Sequence, residues 1–504
     1  MKKKYIISID QSTQGTKALL FDETGMLLNR SDLAHAQIVN EKGWVSHDLN
    51  EIYANTIQAV KQVIETAGKT GGHNIGHIEK SEIAALGISN QRETTAMWDR
   101  STGEPLAHAV VWQCGRAESI GTEIAAAGHA EQVRQKTGIP LSGYFPACKM
   151  AWLLRNTKGA QQKADEGSLA LGTMDSWLVY KLTGGRSFRT DYSNASRTQL
   201  FHLKTLGWDP DLCALFGLPM DALAEIADSN SCFGYTDFEG YLDEPIPIMG
   251  VLGDSHGALF GQGCIRPGMV KATYGTGSSL MMNIGKEPIT SSHGVVTSVA
   301  WGMDGEVTYC LEGNLNYTGA VISWLKNDLK LIDSAKDTQT EAYAANPEDT
   351  TYLVPAFTGL GAPYWDAAAK AAIVGITRMT GKAEIIKAAL ECIAYQITDL
   401  VLAMEKDTKT PISQIRVDGG PSRNTYLMQF QSDLLAKEVC VPHAEELSGI
   451  GAAYAAGIAA GIYDRKRLFE NSAFTVYHPD MEDAVREKKW NGWQEAVGQV
   501  LTKK

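Results

Sequence analysis

Short runs of apolar residues separated by glycine-containing turns occur in two parts of the chain. Near the N-terminus these runs are Tyr5–Ile9, Ala18–Phe21 and Met26–Leu28. Similar runs in the middle of the chain are Val270–Tyr274, Ser279–Asn283, Val295–Trp301 and Val307–Leu311. Runs of this length, bounded by turn residues, are typical of β-strands. The pattern predicts one strand meander in each half, and therefore a duplicated α/β architecture.

Helical periodicity follows the second meander. In Lys382–Lys406 apolar residues recur every three or four positions, and Asn424–Leu435 repeats that pattern. A third helix is predicted to begin at Thr318. The run Gly449–Tyr463, about 15 residues of mostly alanine and glycine, is too short to span a bilayer and favours a closely packed helix.

Length and a break in pattern predict two domains. A chain of 504 residues exceeds what one hydrophobic core usually supports. Pro245 and Pro247 precede a new apolar run within Glu244–Gly253, where we place the boundary. The predicted domains are residues 1–250 and 251–504.

Charge and cysteine spacing narrow the classes of function. With 46 basic and 58 acidic residues the net charge is −12, which argues against nucleic-acid and membrane partners. The 8 cysteines contain no CxxC pair, so zinc and disulfide-exchange motifs are not expected. Met1–Lys4 is basic but leads into a strand rather than a signal-peptide core. These features predict a cytoplasmic protein with buried, reduced thiols.

Three loops rich in glycine, serine and threonine each carry or neighbour an aspartate at the end of an apolar strand. They are Ile7–Lys17 with Asp10, Gly253-Asp254 together with Ala272–Gly277, and Val417–Gly420 with Asp418. Backbone N–H groups in such loops can surround phosphate oxygens, and an aspartate there can hold a metal ion. Three of these loops in one chain predict that a nucleotide phosphate is the ligand, and we call them, in chain order, the first, second and third phosphate-type loops.

A charged pair follows another apolar strand within Gly87–Thr95. Arg92 and Glu93 could donate to and accept from the hydroxyl groups of a small molecule. A solvated ion pair in a turn is the alternative interpretation of these two residues taken alone.

With further motifs, this segment resembles the glycerol kinases of the FGGY carbohydrate kinase family, which have the actin-like ATPase fold. The motifs that carry the resemblance are Gly43–Asp48, Val111–Cys114, Tyr144–Leu153, Thr173–Trp177, Asp191–Thr198 and Ala371–Glu391. The likeness runs in order from about residue 5 to residue 465. It implies two actin-like ATPase (ribonuclease H-like) domains with a catalytic cleft between them. It also implies ATP-dependent phosphorylation of a polyol or sugar hydroxyl, Mg²⁺, and a homo-oligomer, dimer or tetramer.

The resemblance assigns roles to individual residues. It implies that Asp254 is the general base and that Asp10 and Asp254 position the metal. The residues that match or neighbour polyol-binding positions are Arg92, Glu93, Trp112, Tyr144, Asp254, Ser255 and Ser279. Those that match ATP-binding positions are Thr13, Thr16, Gly275, Thr276, Gly319, Ser323, Gly419, Gly420 and Asn424. Arg197 is expected to have a structural role.

The chain departs from glycerol kinases at three positions near the predicted substrate. Ser255 stands where they usually carry glutamine, Ser279 where they place phenylalanine, and Gly115 separates Cys114 from Arg116. We therefore expect a wider and more polar pocket. Glycerol and a four- or five-carbon polyol or ketose both remain possible substrates. An actin-like nucleotide switch is the non-enzymatic alternative.

Overall fold

The computed structural model describes residues 3–67, 78–470 and 473–502, and each half of the chain contains one large β-sheet. The elements of the first half are β1 (Tyr5–Gln11), β2 (Gly15–Phe21), β3 (Leu27–Ala34), β4 (Ile38–Val39), β5 (Val45–His47), α1 (Leu49–Glu65), β6 (Ile83–Asn90), β7 (Thr95–Asp99), β8 (Ala109–Val110), α2 (Glu118–Ala126), α3 (Ala130–Thr137), α4 (Pro146–Asn156), α5 (Ala160–Asp165), β9 (Leu169–Thr173), α6 (Met174–Leu182), β10 (Arg189–Asp191), α7 (Tyr192–Ala195), β11 (Phe201–His202), β12 (Gly207–Trp208), α8 (Pro210–Phe216), β13 (Glu225–Ala227), β14 (Gly234–Thr236), β15 (Ile246–Gly253) and α9 (Asp254–Gly261).

The second half is built on the same plan. Its elements are β16 (Val270–Tyr274), β17 (Ser278–Gly285), β18 (Val296–Met303), β19 (Glu306–Leu315), α10 (Gly319–Asn327), α11 (Asp337–Ala344), β20 (Tyr352–Val354), β21 (Ala372–Val374), α12 (Lys382–Thr408), β22 (Gln414–Asp418), α13 (Thr425–Leu435), β23 (Glu438–Pro442), α14 (Leu447–Ala459), β24 (Phe474–Tyr477) and α15 (Asp483–Val500).

The two large sheets share the arrangement of their central strands. The first has the order β14-β15-β6-β1-β2-β3 and the second β18-β19-β17-β16-β22-β23-β24. In each sheet a central strand, β1 or β16, pairs antiparallel with the next strand of the chain on one side and parallel with β6 or β22 on the other side. The first meander and the duplicated architecture are confirmed, but the second run of strands is not a simple meander, because β17 pairs with β19 and β18 lies at the edge of the sheet.

The long helices match their predicted positions because their apolar stripes face a core. α12 lies in the core of the second half, where Ile386, Ile393 and Ile397 are fully buried. α13 begins at Thr425 because the side chain of Asn424 accepts a hydrogen bond from the N–H of Leu427. Within the described ranges, no helix combines the length and apolarity needed to cross a membrane.

Two helices cross between the halves. α9 continues directly from β15 of the first sheet, yet Phe260 packs with Trp301 of β18. α14 comes from the second half, but Ile450 packs with Ile6 of β1. A Cβ atom on Gly451 would lie 1.9 Å from the carbonyl oxygen of Gly257, so the helix backbones touch. The halves are therefore joined by closely packed helices next to the cleft.

Candidate active site

A cavity of about 580 Å³ lies in the cleft between the two large sheets. Its lining includes residues from the loops after β1 and β6, from the start of α9, and from β16, β17 and β19. The predicted site residues that line it are Thr13, Arg92, Glu93, Trp112, Tyr144, Asp254, Ser255, Gly275, Thr276 and Ser279. The structure thus brings predicted polyol and phosphate residues, from distant parts of the chain, into one space.

A buried carboxylate of the second half joins two arginines of the first half. The Arg92 guanidinium donates two hydrogen bonds to Glu312 of β19, at 2.9 and 2.8 Å. Arg197 forms an ion pair with the same carboxylate at 2.9 Å and donates to Glu93 at 2.9 Å. Although burial opposes ionisation, Arg197 and Arg92 hold the pKa of Glu312 well below its ordinary value. The sequence-predicted acceptor residues Arg92 and Glu93 are therefore fixed by this cluster.

Asp254 is the first residue of α9 and faces the cavity. Its side chain is 38% exposed, and one carboxylate oxygen lies 3.1 Å from Nε of Arg92. The same oxygen accepts a hydrogen bond from the N–H of Ser255 at 2.6 Å. Burial raises the pKa of Asp254, while Arg92 partly offsets this effect. Such a carboxylate can accept a proton from a group bound in the cavity.

His256, two residues further on, faces the protein interior. It is fully buried, and its Nε2 lies 3.2 Å from the hydroxyl of Ser298. Burial and the charge of Arg92 hold its pKa well below the ordinary value. His256 does not line the cavity, so Asp254 is the basic group at this helix start that can reach a ligand.

Two aromatic side chains form one wall of the cavity. The rings of Trp112 and Tyr144 are 5.8 Å apart between centroids in an edge-to-face arrangement. Trp112 donates from Nε1 to the hydroxyl of Thr13 at 2.9 Å, which links the wall to the first phosphate-type loop. The fully buried Lys149 donates to the carbonyl of Tyr144. The wall is thus held in place at both ends and suits an aliphatic carbon chain.

The second phosphate-type loop is anchored to α10. The N–H of Gly275 donates to the carbonyl of Gly277 at 2.8 Å, and the N–H of Gly319 donates to Gly275 at 2.9 Å. Thr276 is exposed at the loop tip. Ser323, one turn along α10, donates to the carbonyl of Gly319 at 3.3 Å. Gly319 and Ser323 therefore support the loop but do not line the cavity.

The third loop lies beside the second one. Gly419 has φ +94°, and a Cβ atom there would lie 2.0 Å from the carbonyl oxygen of Tyr274, so only glycine fits. At Gly420 a Cβ atom would meet nothing within 4 Å. Asn424 caps α13 and donates to Thr338 at 3.1 Å. These three residues lie outside the cavity, next to the base of its phosphate loop.

Asp10 lies at the end of β1, behind the cavity lining. It accepts a hydrogen bond from Ser89 at 3.0 Å. Burial raises its pKa to about 6; Lys17 opposes the rise, and the nearby charge of Asp254 adds to it. Thr16, also outside the cavity lining, is buried and its hydroxyl has no hydrogen-bond partner among the described residues.

Asp10 and Asp254 have the oxygen donors that a hard cation requires. They are close enough for the charge of one to raise the pKa of the other, and Mg²⁺ usually takes one or two carboxylates together with substrate phosphates and water. In the part of the chain that the structure describes, no group of three or more His, Cys, Asp or Glu side chains could hold a metal. The donor set therefore fits a cation shared with a bound phosphate and not a permanent protein cage.

Several residues in and around the cleft were not predicted from the sequence. Glu312 follows the predicted strand Val307–Leu311, and a charged residue inside an apolar sheet was a signal that could have marked it. Lys271 and Asn314 also line the cavity. Arg197 was expected to have a structural role, and the structure places it between Glu93 and Glu312.

Comparison with known proteins identifies the family. The sequence model of the N-terminal domain of the FGGY family of carbohydrate kinases matches residues 5–261, and that of its C-terminal domain matches residues 270–460. The chain belongs to this family. The predicted resemblance, the fold class and the kinase activity, with its use of ATP, are therefore confirmed, and the kinase is not an actin-like nucleotide switch.

Individual relatives resemble this kinase over its whole length. It is 43% identical to the glycerol kinase of Desulfitobacterium hafniense over 99% of this chain and 100% of that protein. A crystal structure of Plasmodium falciparum glycerol kinase with ADP matches with a TM-score of 0.92 at 35% identity, covering 100% of both chains. A crystal structure of xylulose kinase from Lactobacillus acidophilus shares the fold, with a TM-score of 0.86 at 22% identity. The match covers 98% of this chain and 97% of that chain.

We predict that Glu312→Gln strongly destabilises this kinase. The substitution leaves two buried arginines without their shared carboxylate, which costs roughly 3–5 kcal/mol, and it loosens Arg92 and Glu93. We expect a melting temperature lower by roughly 10 °C and a raised KM for the acceptor. Glu306→Gln is the control, because Glu306 lies on the same strand but is 68% exposed in its pair with Lys286. A melting temperature of Glu312→Gln within 2 °C or so of wild type would contradict the interpretation.

Asp10→Asn is predicted to stabilise the ligand-free protein at neutral and alkaline pH. In the folded protein the pKa of Asp10 rises from 3.8 to about 6, which corresponds to about 3 kcal/mol opposing ionisation. This penalty is absent below the ordinary pKa, grows between the two values and is constant above pH 6 or so. Thermal melts without metal should therefore show a melting temperature several degrees higher for the variant at pH 8, and little difference near pH 4. A lower melting temperature at pH 8 would contradict the burial argument.

Proposed function

We propose that this kinase transfers the terminal phosphoryl group of ATP to a terminal hydroxyl of glycerol or a similar small polyol. The observation that carries the proposal is the position of Asp254. Its carboxylate faces a cavity that is lined by Arg92 and Glu93 on one side and by the loop at Thr276 on the other. Similarity to proteins named glycerol kinase over the full length of the chain supports glycerol as an acceptor.

The acceptor side of the cavity has the groups that a polyol needs. A carboxylate such as Glu93 accepts hydrogen bonds from hydroxyls, and the guanidinium of Arg92 donates to oxygen. Trp112 and Tyr144 offer apolar surface to the carbon chain. Because Glu312 and Arg197 fix the charged pair, these contacts cost little reorganisation when the acceptor binds.

The nucleotide side is formed by the three phosphate-type loops. We assign ATP binding to Thr13, Thr16, Gly275, Thr276, Gly319, Ser323, Gly419, Gly420 and Asn424, whose positions around the first and second loops support this assignment. Asp10 and Asp254 would hold Mg²⁺ together with phosphate oxygens, and the bound ion would supply positive charge to the phosphates. The raised pKa of Asp10, about 6, predicts weaker metal binding below that pH.

Asp254 acts as the general base in this proposal. A hydroxyl is a poor nucleophile at neutral pH, so a carboxylate that accepts its proton accelerates attack by roughly 10²–10⁴-fold. The hydroxyl oxygen bonds to the terminal phosphorus of ATP, the bond to the leaving oxygen breaks, ADP departs, and the proton moves to Asp254.

We predict that Asp254→Asn yields a folded protein that still binds ATP but loses at least about 10²-fold in kcat. An amide keeps the size of the carboxylate but cannot accept the hydroxyl proton. Coupled ADP-release assays give kcat, and calorimetry gives the affinity for ATP. Asp221→Asn, at an exposed position remote from the cavity, is the matched control. Wild-type turnover in Asp254→Asn would refute the base assignment.

A larger acceptor is the second candidate substrate, and one observation favours it. Ser279 and Asn314 are paired across β17 and β19, and both line the cavity. The hydroxyl of Ser279 is buried without a hydrogen-bond partner among the described residues. Two small polar side chains at this wall leave room, and hydrogen-bonding capacity, for the additional hydroxymethyl groups of a four- or five-carbon polyol or ketose.

Ser279→Phe is predicted to shift acceptor preference toward glycerol. A bulky apolar side chain would fill the space beside Asn314 and change relative acceptor affinity by about 1–3 kcal/mol. The measurement is kcat/KM for glycerol, erythritol, pentitols, ketopentoses and dihydroxyacetone with magnesium ATP. Ser279→Ala, which removes only the hydroxyl, is the control for size. Unchanged ratios of kcat/KM across this series would contradict the wider pocket.

We also propose a cytoplasmic location and a homo-oligomeric state. The cysteines are free thiols, and all but the half-buried Cys232 are buried, which supports a reducing compartment. The net charge of −12 supports a small-molecule substrate with neither nucleic-acid nor membrane partners. Size-exclusion chromatography with light scattering tests the predicted dimer or tetramer.

A further inference from the structure

Lys271 is a buried cation in the wall of the catalytic cavity. It lies on β16, two residues before Thr273, and its side chain is almost fully buried. Alternate residues of a strand face the same side. Ala272 and Tyr274 point into the hydrophobic core of the second half, so Lys271 and Thr273 face the cleft, and both line the cavity.

The ammonium group points along β16 toward the second phosphate-type loop. Nζ of Lys271 donates a hydrogen bond to the hydroxyl of Thr273 at 3.1 Å. Only Tyr274 separates Thr273 from the turn Gly275–Gly277, whose exposed Thr276 also lines the cavity. The charge is therefore held on the cleft side, next to the backbone that we assign to the phosphates.

Lys271 differs from Arg92, which lines the same cavity, and from Arg197 behind it, in having no counter-charge in contact. Arg92 and Arg197 both form ion pairs with Glu312. Across residues 3–67, 78–470 and 473–502, no carboxylate forms an ion pair with Lys271; its hydrogen bond goes to the neutral hydroxyl of Thr273. A buried charge without a partner is costly. Burial lowers the pKa of Lys271, Asp418 opposes this effect, and Arg92 adds to it.

We propose that Lys271 contacts the phosphoryl group during its transfer and neutralises the charge on its non-bridging oxygens. The inference rests on the proposed function and adds a catalytic residue to it. The acceptor oxygen bonds to phosphorus, the bond to ADP breaks and the proton goes to Asp254. Lys271 keeps its own proton throughout and donates hydrogen bonds to phosphoryl oxygens. Positive charge placed at this point stabilises the transition state more than the bound ATP.

The first test compares Lys271→Met with Lys271→Arg and with Lys286→Met. Lys286 is the matched control because it is 68% exposed and paired with Glu306 on the surface. We expect Lys271→Met to lower kcat by about 10²–10³-fold, with the KM of the polyol and the Kd of magnesium ATP changed no more than about threefold. Lys271→Arg retains the charge and should recover part of kcat. Melting temperatures show whether each variant is folded.

A second test needs no turnover. Calorimetry measures the affinity for ADP with Mg²⁺ and glycerol, with and without aluminium fluoride, which mimics the transferring phosphoryl group. Aluminium fluoride should tighten ADP binding to the wild type by at least about tenfold. Lys271→Met should bind ADP alone normally and lose most of this tightening. If Lys271→Met does not fold, the same comparison is made with Lys271→Gln.

The outcomes separate this inference from the function on which it rests. Wild-type protein that phosphorylates none of the polyols would refute the proposed function. If the wild type is active but Lys271→Met keeps both kcat and the fluoride-dependent tightening of ADP binding within about threefold of wild type, the role of Lys271 alone would be overturned. Weakened ADP binding with unchanged kcat would also overturn it, because Lys271 would then bind the ground-state nucleotide.

Discussion

The cleft depends on the carboxylate of Glu312, which joins two arginines from the other half of the protein. Arg92 lies 220 positions earlier in the chain, yet it donates twice to Glu312. Such a buried cluster adds little net stability compared with apolar packing, but it tolerates few alternative arrangements because each unpaired charge would be costly. Through Arg92 and Arg197 the cluster also sets the positions of Asp254 and Glu93. The proposed acceptor site is therefore complete only when both halves of the protein are aligned.

The crossing helices explain how two sheets can share one site. Asp254 begins α9, which continues from the first sheet but packs against the second. α14 returns from the second half to the first sheet, where the hydroxyl of Ser8 donates to the carbonyl of Gly449. Glycines permit backbone contact between these helices. Because the proposed base and the phosphate loop are carried by elements that touch at this crossing, a rotation of one half against the other would change their separation, as in hinge closure.

Local patterns predicted most of the fold, because the periodicity of apolar residues along the chain indicates strands and helices. The strand Val270–Tyr274 was predicted with its observed bounds, and the glycine-rich loops marked the cleft. Pairings such as that of Arg92 with Glu312 could not be predicted, because no short-range signal connects residues so far apart. Gly419 shows a second limit. It matches an ATP-binding position, but its geometry is dictated by the adjacent backbone of Tyr274.

The charges of the cleft indicate what kind of ligand it accommodates. Asp10 and Asp254 are carboxylates whose pKa values are raised, so each gains stability when a cation approaches. Lys271, in the same cleft, lacks a carboxylate partner among the described residues and gains stability when an anion approaches. Lys271 and Asp254 attract each other across the cavity, but among the described residues they form no ion pair. A ligand that combines a divalent cation with phosphate oxygens stabilises the buried carboxylates and the buried ammonium group together, whereas a neutral sugar alone stabilises neither charge. The charges of the cleft thus favour a metal–nucleotide complex together with the polyol, which is the combination that phosphoryl transfer requires.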